Sequence, residues 1–285
     1  MGVKRSPALL ADLGLVGICL IWGTTFAIVK TVVGDTNPAT FIAVRFALAA
    51  LVLGAMCLKK FRGVGREVWV AGFIAGVPMM VGFLTQTAGL PLTTASKAGF
   101  ITGMHVVFTP ILDWLVHRRR IALYQVLGIC VAVAGLGLLS IETFGRFELG
   151  DVLVLACAFS FAVQIVVLSR FSPRYDGFVL SFTQMVSAAL LAAAVAGPDL
   201  VQAAQFDAGM WGSIFYLAVM GTAVAYLIQT LAQRYTPPTR AALLMQLEPV
   251  FAAFFAWLLI GETMSLKHYA GAALILAGIL VCQMG

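Results

Sequence analysis

The sequence predicts an all-α integral membrane protein in which ten transmembrane helices form two inverted five-helix repeats. Three observations lead there. Hydrophobic residues fill 61% of the 285 positions and charged residues only 11%, where soluble domains carry roughly half and a quarter. The apolar runs are continuous and lack period-2 alternation, which favours helices over a β-barrel. The second half of the chain also repeats the first. Lys97–Leu139 laid on Arg240–Cys282, an offset of 143, gives nine identities in 43 pairs, among them Phe108/Phe251, Trp114/Trp257, Gly128/Gly271 and Gly135/Gly278. The same offset pairs Gln86-Thr87 with Gln229-Thr230, and an offset of 139 pairs Asp12 with Asp151 and Ala49-Ala50-Leu51 with Ala188-Ala189-Leu190. The offset changes once, near Gly197–Gly209, outside the hydrophobic segments.

A helix needs about 20 mostly apolar residues to cross the hydrocarbon core. Residues 1–143 hold spans near 9–29, 38–58, 68–89, 94–116 and 121–140; residues 144–285 hold spans near 150–169, 177–197, 210–233, 239–260 and 266–284. The first span is too long, and too poor in a small-residue cleavage pattern, for a removable signal peptide. The second carries a charge within it, Arg45. The stretch Val68–Val116 is too long for one helix, and Pro91 with Thr93, Thr94 and Ser96 divides it. The fourth and ninth spans carry His105 and Glu248 near their centres. Gly128, Ala132 and Gly135 in the fifth, and Gly271 and Gly278 in the tenth, permit close helix approach. Pro78, Pro110 and Pro249 lie inside spans and predict local kinks.

Charge sets the topology. Thirteen of the 18 basic residues fall on the side that holds the N-terminus, four on the other side, and Arg45 within a span. The positive-inside rule then places both termini in the cytoplasm, as expected of a multi-pass protein of the cell (cytoplasmic, inner) membrane. Five spans per half is an odd number, so the halves enter from opposite faces. His117-Arg118-Arg119-Arg120, an inside loop, accordingly aligns with Ile260-Gly261-Glu262-Thr263, an outside loop without basic charge. The net charge of +6 is thus a topological signal and no sign of nucleic-acid binding. The five cysteines are dispersed without a Cys-x-x-Cys pair and read as packing residues. No Gly-x-x-x-x-Gly-Lys-Ser/Thr loop or Gly-x-Ser-x-Gly turn exists, and three histidines are too few for a di-metal cluster. No cofactor or metal is expected, and an intramembrane enzyme is disfavoured.

Several segments are familiar in combination. Trp22-Gly23-Thr24-Thr25-Phe26 resembles a Trp-Gly-Ser/Thr-x-Phe signature, and Pro38 followed by Arg45-Phe46 a Pro-x6-Arg-Phe/Tyr pattern. Glu248-Pro249-Val250, Gly261-Glu262 and Gly271–Gly278 resemble a closing signature. Together they resemble the EamA family of the drug/metabolite transporter superfamily over nearly the whole chain. The resemblance implies a ten-helix carrier with cytoplasmic termini, often an exporter of amino acids or other small metabolites. Its cargo does not transfer, and the first repeat departs from the second with His105-Val106 for Glu248-Pro249.

Ionisable groups inside a bilayer are costly and usually face the bundle interior. Arg45, His105 and Glu248 are the three that stand out, and His105 and Glu248 are repeat equivalents (105 + 143 = 248). Each either lines the transport pathway or ties helices together. Arg45, aligned with Gln184, needs a carboxylate, backbone carbonyls or an anionic group of the cargo. Thr102, His105, Thr109 and Asp113 share one helix face. Gln86 and Gln229, with Phe83 and Tyr226 three residues earlier, can hold a polar cargo end or link helices. Trp22, Thr25, Phe26, Met104 and Tyr226 are candidates for the cavity wall, and Gln164 and Gln246 further polar candidates. The expected partners are a small-molecule substrate, the lipid bilayer and protons, with proton coupling, exchange and passive transport all compatible, in a monomer or homodimer. A translocator of lipids or lipid-linked metabolites fits the same architecture.

Overall fold

The computed structural model describes residues 7–33, 36–60, 64–93, 95–118, 120–140, 148–260 and 265–283. They form thirteen α-helices, and no strand occurs among them. In order these are α1 (Pro7–Val33), α2 (Pro38–Cys57), α3 (Arg66–Gly89), α4 (Ala95–Gly103), α5 (His105–His117), α6 (Leu123–Ser140) and α7 (Leu149–Phe171). There follow α8 (Gly177–Ala196), α9 (Ala208–Ala218), α10 (Ala225–Ala232), α11 (Pro238–Leu244), α12 (Leu247–Ile260) and α13 (Leu266–Gln283). Seven described segments are long and apolar enough to cross a membrane, starting at Pro7, Pro38, Arg66, Lys97, Leu149, Gly177 and Ala208. Leu123–Leu139 and Leu266–Cys282 are shorter apolar helices. The chain is a helical, multi-span membrane protein, with large apolar side chains such as Leu13, Phe73, Leu127 and Leu280 exposed on its flanks.

Polar residues at the segment ends start the helices. Asn37 caps α2, its Oδ1 accepting from the amides of Ala39 (2.8 Å) and Thr40 (3.4 Å), with Pro38 at the first helical position. Asp176 caps α8 through the amides of Phe178 and Val179, and Asp207 caps α9 through that of Met210. Glu148 and Asp151 form a reciprocal capping box at α7. Gly197, at φ 53°, ends α8.

Three of the ten expected spans are interrupted helices. The fourth breaks at Met104 between α4 and α5, and the ninth at Met245-Gln246 between α11 and α12. At each break a tight turn replaces the α-helical ladder: the Met104 amide donates to the Ile101 carbonyl (3.0 Å) and the Gln246 amide to that of Leu243 (3.0 Å). Pro249 supplies one cause, since it has no N–H for the Met245 carbonyl four residues earlier. The eighth span carries a π-helical turn, Val219–Val224, between α9 and α10. Helices α3 and α5 continue through Pro78 and Pro110.

Contacts recur when the halves are exchanged. Glycines bring α6 and α13 together backbone to backbone: a β-carbon on Gly135 would lie 2.6 Å from the Gly271 carbonyl, and one on Gly271 2.7 Å from the Gly135 carbonyl. Gly128 and Gly278 meet in the same way, at 2.7 and 2.5 Å. Asp12 accepts hydrogen bonds from Thr236 and Arg240; their equivalents, Asp151 with Thr93 and Lys97, make the same cluster at the other end. Helix α1 packs on α10 and α12 much as α7 packs on α3 and α5. Two three-span groups result, one of α1, α9–α10 and α11–α12, the other of α3, α4–α5 and α7.

Gly278→Val is expected to lower stability by at least about 1–3 kcal/mol through overpacking, read as a drop in melting temperature in detergent. Gly17→Ala, where a β-carbon meets nothing within 4 Å, leaves that temperature unchanged or raises it. Equal melting behaviour of the two variants would contradict the glycine crossing.

Candidate functional site

A cavity lies between the two groups, with about 880 Å³ free of protein atoms when its open mouth is included. All nine candidate residues border it: Trp22, Thr25, Arg45, Gln86, His105, Gln164, Tyr226, Gln229 and Glu248. The wall is itself duplicated. Six lining pairs are repeat equivalents: Trp22/Phe161, Thr25/Gln164, Phe83/Tyr226, Gln86/Gln229, Thr102/Met245 and His105/Glu248.

Aromatic rings form the apolar side. Tyr226 lies 5.6 Å from Trp22 and 6.1 Å from Phe83, centroid to centroid, and Phe83 meets Phe161 edge-on at 5.4 Å. The Arg45 guanidinium sits over the Phe83 ring at 4.9 Å, a cation–π contact. Arg45 is buried, and the π turn supplies its polar partners. Its Nε donates to Thr222 Oγ1 at 2.7 Å and its Nη2 to the Gly221 carbonyl at 3.4 Å. The same carbonyl accepts from Trp22 Nε1 at 3.0 Å, and Thr222 Oγ1 donates to the Leu217 carbonyl five residues earlier. Widening the helix by one residue thus frees an acceptor that fixes both Trp22 and Arg45.

Glutamines and the two broken spans form the polar side. Gln229 Nε2 donates to Gln164 Oε1 (3.2 Å), and Gln164 Nε2 to Gln184 Oε1 (3.4 Å). Gln86 Nε2 donates to Thr102 Oγ1 at 3.3 Å. His105 is the first residue of α5 and Glu248 the second of α12, so both stand just past a break at the start of a half-helix. His105 Nδ1 donates to the Thr102 carbonyl (3.0 Å), which directs Nε2 elsewhere, buried and without a hydrogen bond among the described residues. The Glu248 carboxyl makes no hydrogen bond or ion pair among the described residues, and it borders the same cavity as Arg45 and Tyr226. The site therefore presents a cation, a carboxyl, amides and aromatic faces to a common space. Among the described residues no group of three or more His, Cys, Asp or Glu converges to hold a metal.

Other candidates sit elsewhere. Gln246 turns from the cavity and donates to the Gly103 carbonyl at 2.6 Å. Met104 occupies the break itself. Thr109 bonds the His105 carbonyl, and Asp113 pairs with His117 at 2.7 Å, so that stripe leaves the cavity after His105. The side chain of Phe26 lies outside the described residues. Phe161 is a wall residue that sequence reasoning passed over, although the 139 offset applied to Trp22 leads to it directly.

The sequence profile of the EamA-like transporter family matches twice, over residues 9–141 and 148–283. The chain belongs to the EamA-like transporter family. An uncharacterized transporter of Archaeoglobus fulgidus is 34% identical over 99% of this chain and 88% of its own. The uncharacterized transporter YyaM of Bacillus subtilis is 26% identical, over 94% and 92%. A solved crystal structure shares the fold at a TM-score of 0.76 and 22% identity, covering 96% of this chain and 98% of the other. This EamA-like protein is a membrane transporter of a small substrate and not an enzyme.

Thr222→Val keeps the side-chain shape but leaves the buried Arg45 Nε without its acceptor. The expected cost is about 1–3 kcal/mol, measured as thermal unfolding of the transporter in detergent. An unchanged melting temperature would mean that the π turn does not hold Arg45.

Proposed function

We propose that the protein is a carrier that exports an amino acid or a related amphipathic metabolite by alternating access around the mid-membrane cavity. In this reading residues 1–143 and 144–285 are inverted five-helix repeats, the ten spans cross the cell membrane, and both termini are cytoplasmic. The observation that carries it is the duplicated wall: six repeat-equivalent pairs face one space between two helix groups. Inverted repeats allow one fold to present a central site to either side by exchanging the conformations of its halves.

The chemistry of the wall supports the cargo class. Arg45 offers a cation to a carboxylate, Glu248 an anion to an ammonium, and Trp22, Phe83, Phe161 and Tyr226 an apolar face. The glutamines supply donors and acceptors for the polar end of a zwitterion. The free carboxyl of Glu248 can instead take a proton, which would couple transport to a pH gradient. Cargo moves against its gradient only where binding energy differs between the two states.

A thermal-shift screen of amino acids, nucleosides and organic cations on the purified chain, followed by flux in proteoliposomes, tests this function. Gln86→Ala and Gln229→Ala are each expected to weaken the active compound by about tenfold, the loss of one or two polar contacts, whereas Trp257→Ala, at an exposed position, binds normally. Binding of lipid headgroups alone, without flux of any soluble compound, would contradict the carrier. Glu248→Gln is expected to remove the response of flux to a pH gradient; flux that ignores the gradient in the unmodified chain would eliminate the proton.

A further inference from the structure

The two ends of the cavity differ, and the repeat shows how. Beyond the six symmetric pairs the wall holds Arg45 and Ile165, and three residues of the first half, Val29, Thr87 and Leu90, extend the cavity toward one end. Their equivalents, Leu168, Thr230 and Gln233, do not border it, although the halves are otherwise related by the same offsets. Thr230 is buried and bonded to Ser181 and to the Tyr226 carbonyl, and Gln233 Nε2 donates to the Ile165 carbonyl at 2.9 Å. The cavity thus reaches toward the end that holds Asn37 and Leu90, and the opposite end is shut.

The contacts that shut it join the two helix groups. Gln229 (α10) donates to Gln164 (α7), Gln233, just after α10, to the Ile165 carbonyl (α7), and α11 packs on α5 and α7. At the open end the equivalent of the Gln229–Gln164 bond is not made, and Leu90, the equivalent of Gln233, carries no side-chain donor. Gln86 bonds Thr102, within its own group, and the Thr25 hydroxyl donates to the Trp22 carbonyl, so the pair equivalent to Gln229–Gln164 is separated. Among the described residues α4 does not pack closely on α12 or α1, the equivalents of α11 on α5 and α7. One residue pair maps onto itself: Gln246 and Gly103 are repeat equivalents of each other, and the Gln246 amide bonds the Gly103 carbonyl where the two halves meet.

We infer that Gln229–Gln164 and Thr25–Gln86 are the two halves of a reciprocal gate, the first bonded when the cavity faces outward and the second when it faces the cytoplasm. This rests on the carrier reading above and names the residues that alternate. Exchanging the conformations of the halves about the Gln246–Gly103 contact brings the Gln86 amide to Thr25 and releases Gln229 from Gln164. The closed end is suited to release, because Gln229 Oε1 and Gln233 Oε1 are buried there without hydrogen-bond partners among the described residues. Opening hydrates both acceptors and offsets the bonds given up.

The test uses the full chain in proteoliposomes with Cys19, Cys57, Cys130, Cys157 and Cys282 replaced by Ala. Cysteine pairs are placed by Gln164→Cys with Gln229→Cys, and by Thr25→Cys with Gln86→Cys. Each pair is expected to cross-link, and in the four-cysteine chain the two links exclude one another. Single reporters Thr87→Cys and Thr230→Cys are read with an aqueous thiol reagent: the first link keeps position 87 reactive and 230 protected, and the second reverses them. In a chain without the pairs, Gln229→Leu raises the reactivity of Thr230→Cys by about fivefold, the effect of losing one ordinary hydrogen bond. Simultaneous formation of both links, or a Thr230→Cys reactivity indifferent to Gln229→Leu, would overturn the gate. Cargo flux by the unsubstituted chain with no cross-link at Thr25 and Gln86 sinks the gate alone, whereas reciprocal links alongside an unsubstituted chain that moves no cargo sink the carrier and leave the gate.

Discussion

A polar backbone group inside a membrane must find its partner within the protein, and each broken helix here creates such a need. Helices α4–α5 and α11–α12 both give up part of their ladder within the span, at Met104 and at Met245-Gln246. The two interruptions meet. Gln246 Nε2 reaches the Gly103 carbonyl, so the vacancy in one half is filled from the equivalent position of the other. That contact holds His105 and Glu248 at the starts of adjoining half-helices, facing one cavity.

Around this centre the architecture divides the work. Glycine contacts between α6 and α13 let two backbones touch, and α2 packs against α8 in the corresponding position of the other pair. These pairs map onto themselves when the halves are exchanged and suit a fixed frame. The helices that border the cavity form the two groups that the Asp12 and Asp151 clusters brace at opposite ends. A brace confined to one group stiffens it without tying it to the other. The contacts between groups combine apolar packing, such as Phe83 on Tyr226 and α11 on α5 and α7, with the Gln229–Gln164 and Gln233–Ile165 bonds, and they are unequal at the two ends.

Much of this was legible in the chain. The offsets of 143 and 139 relate His105 to Glu248 and Gln86 to Gln229, and apolar surroundings made Arg45 conspicuous; the structure brings all of them to one cavity. The breaks were less visible. Pro249 announces one, but its equivalent is Val106, and the carbonyl freed at the Met104 break, that of Gly103, finds its partner only through the tertiary bond from Gln246. The π turn has no local signature, because its stabilising groups, Trp22 and Arg45, lie some 176–199 residues away in sequence. Asp12 likewise finds Thr236 and Arg240 only through the fold. Periodicity and hydropathy report which residues are apolar, and they are silent on which polar groups converge.

Two groups moving in opposition at the two ends is the central physical claim, and pulsed electron–electron distance measurement tests it most directly. Spin labels at Arg174 and Tyr235 span the groups at the closed end, and labels at Leu149 and Ala208 span them at the other; all four positions are exposed. Alternation predicts that any condition lengthening the first distance shortens the second in the same sample of reconstituted protein. Distances that stay single-valued under every cargo and pH condition, or that lengthen together at both ends, would contradict the account.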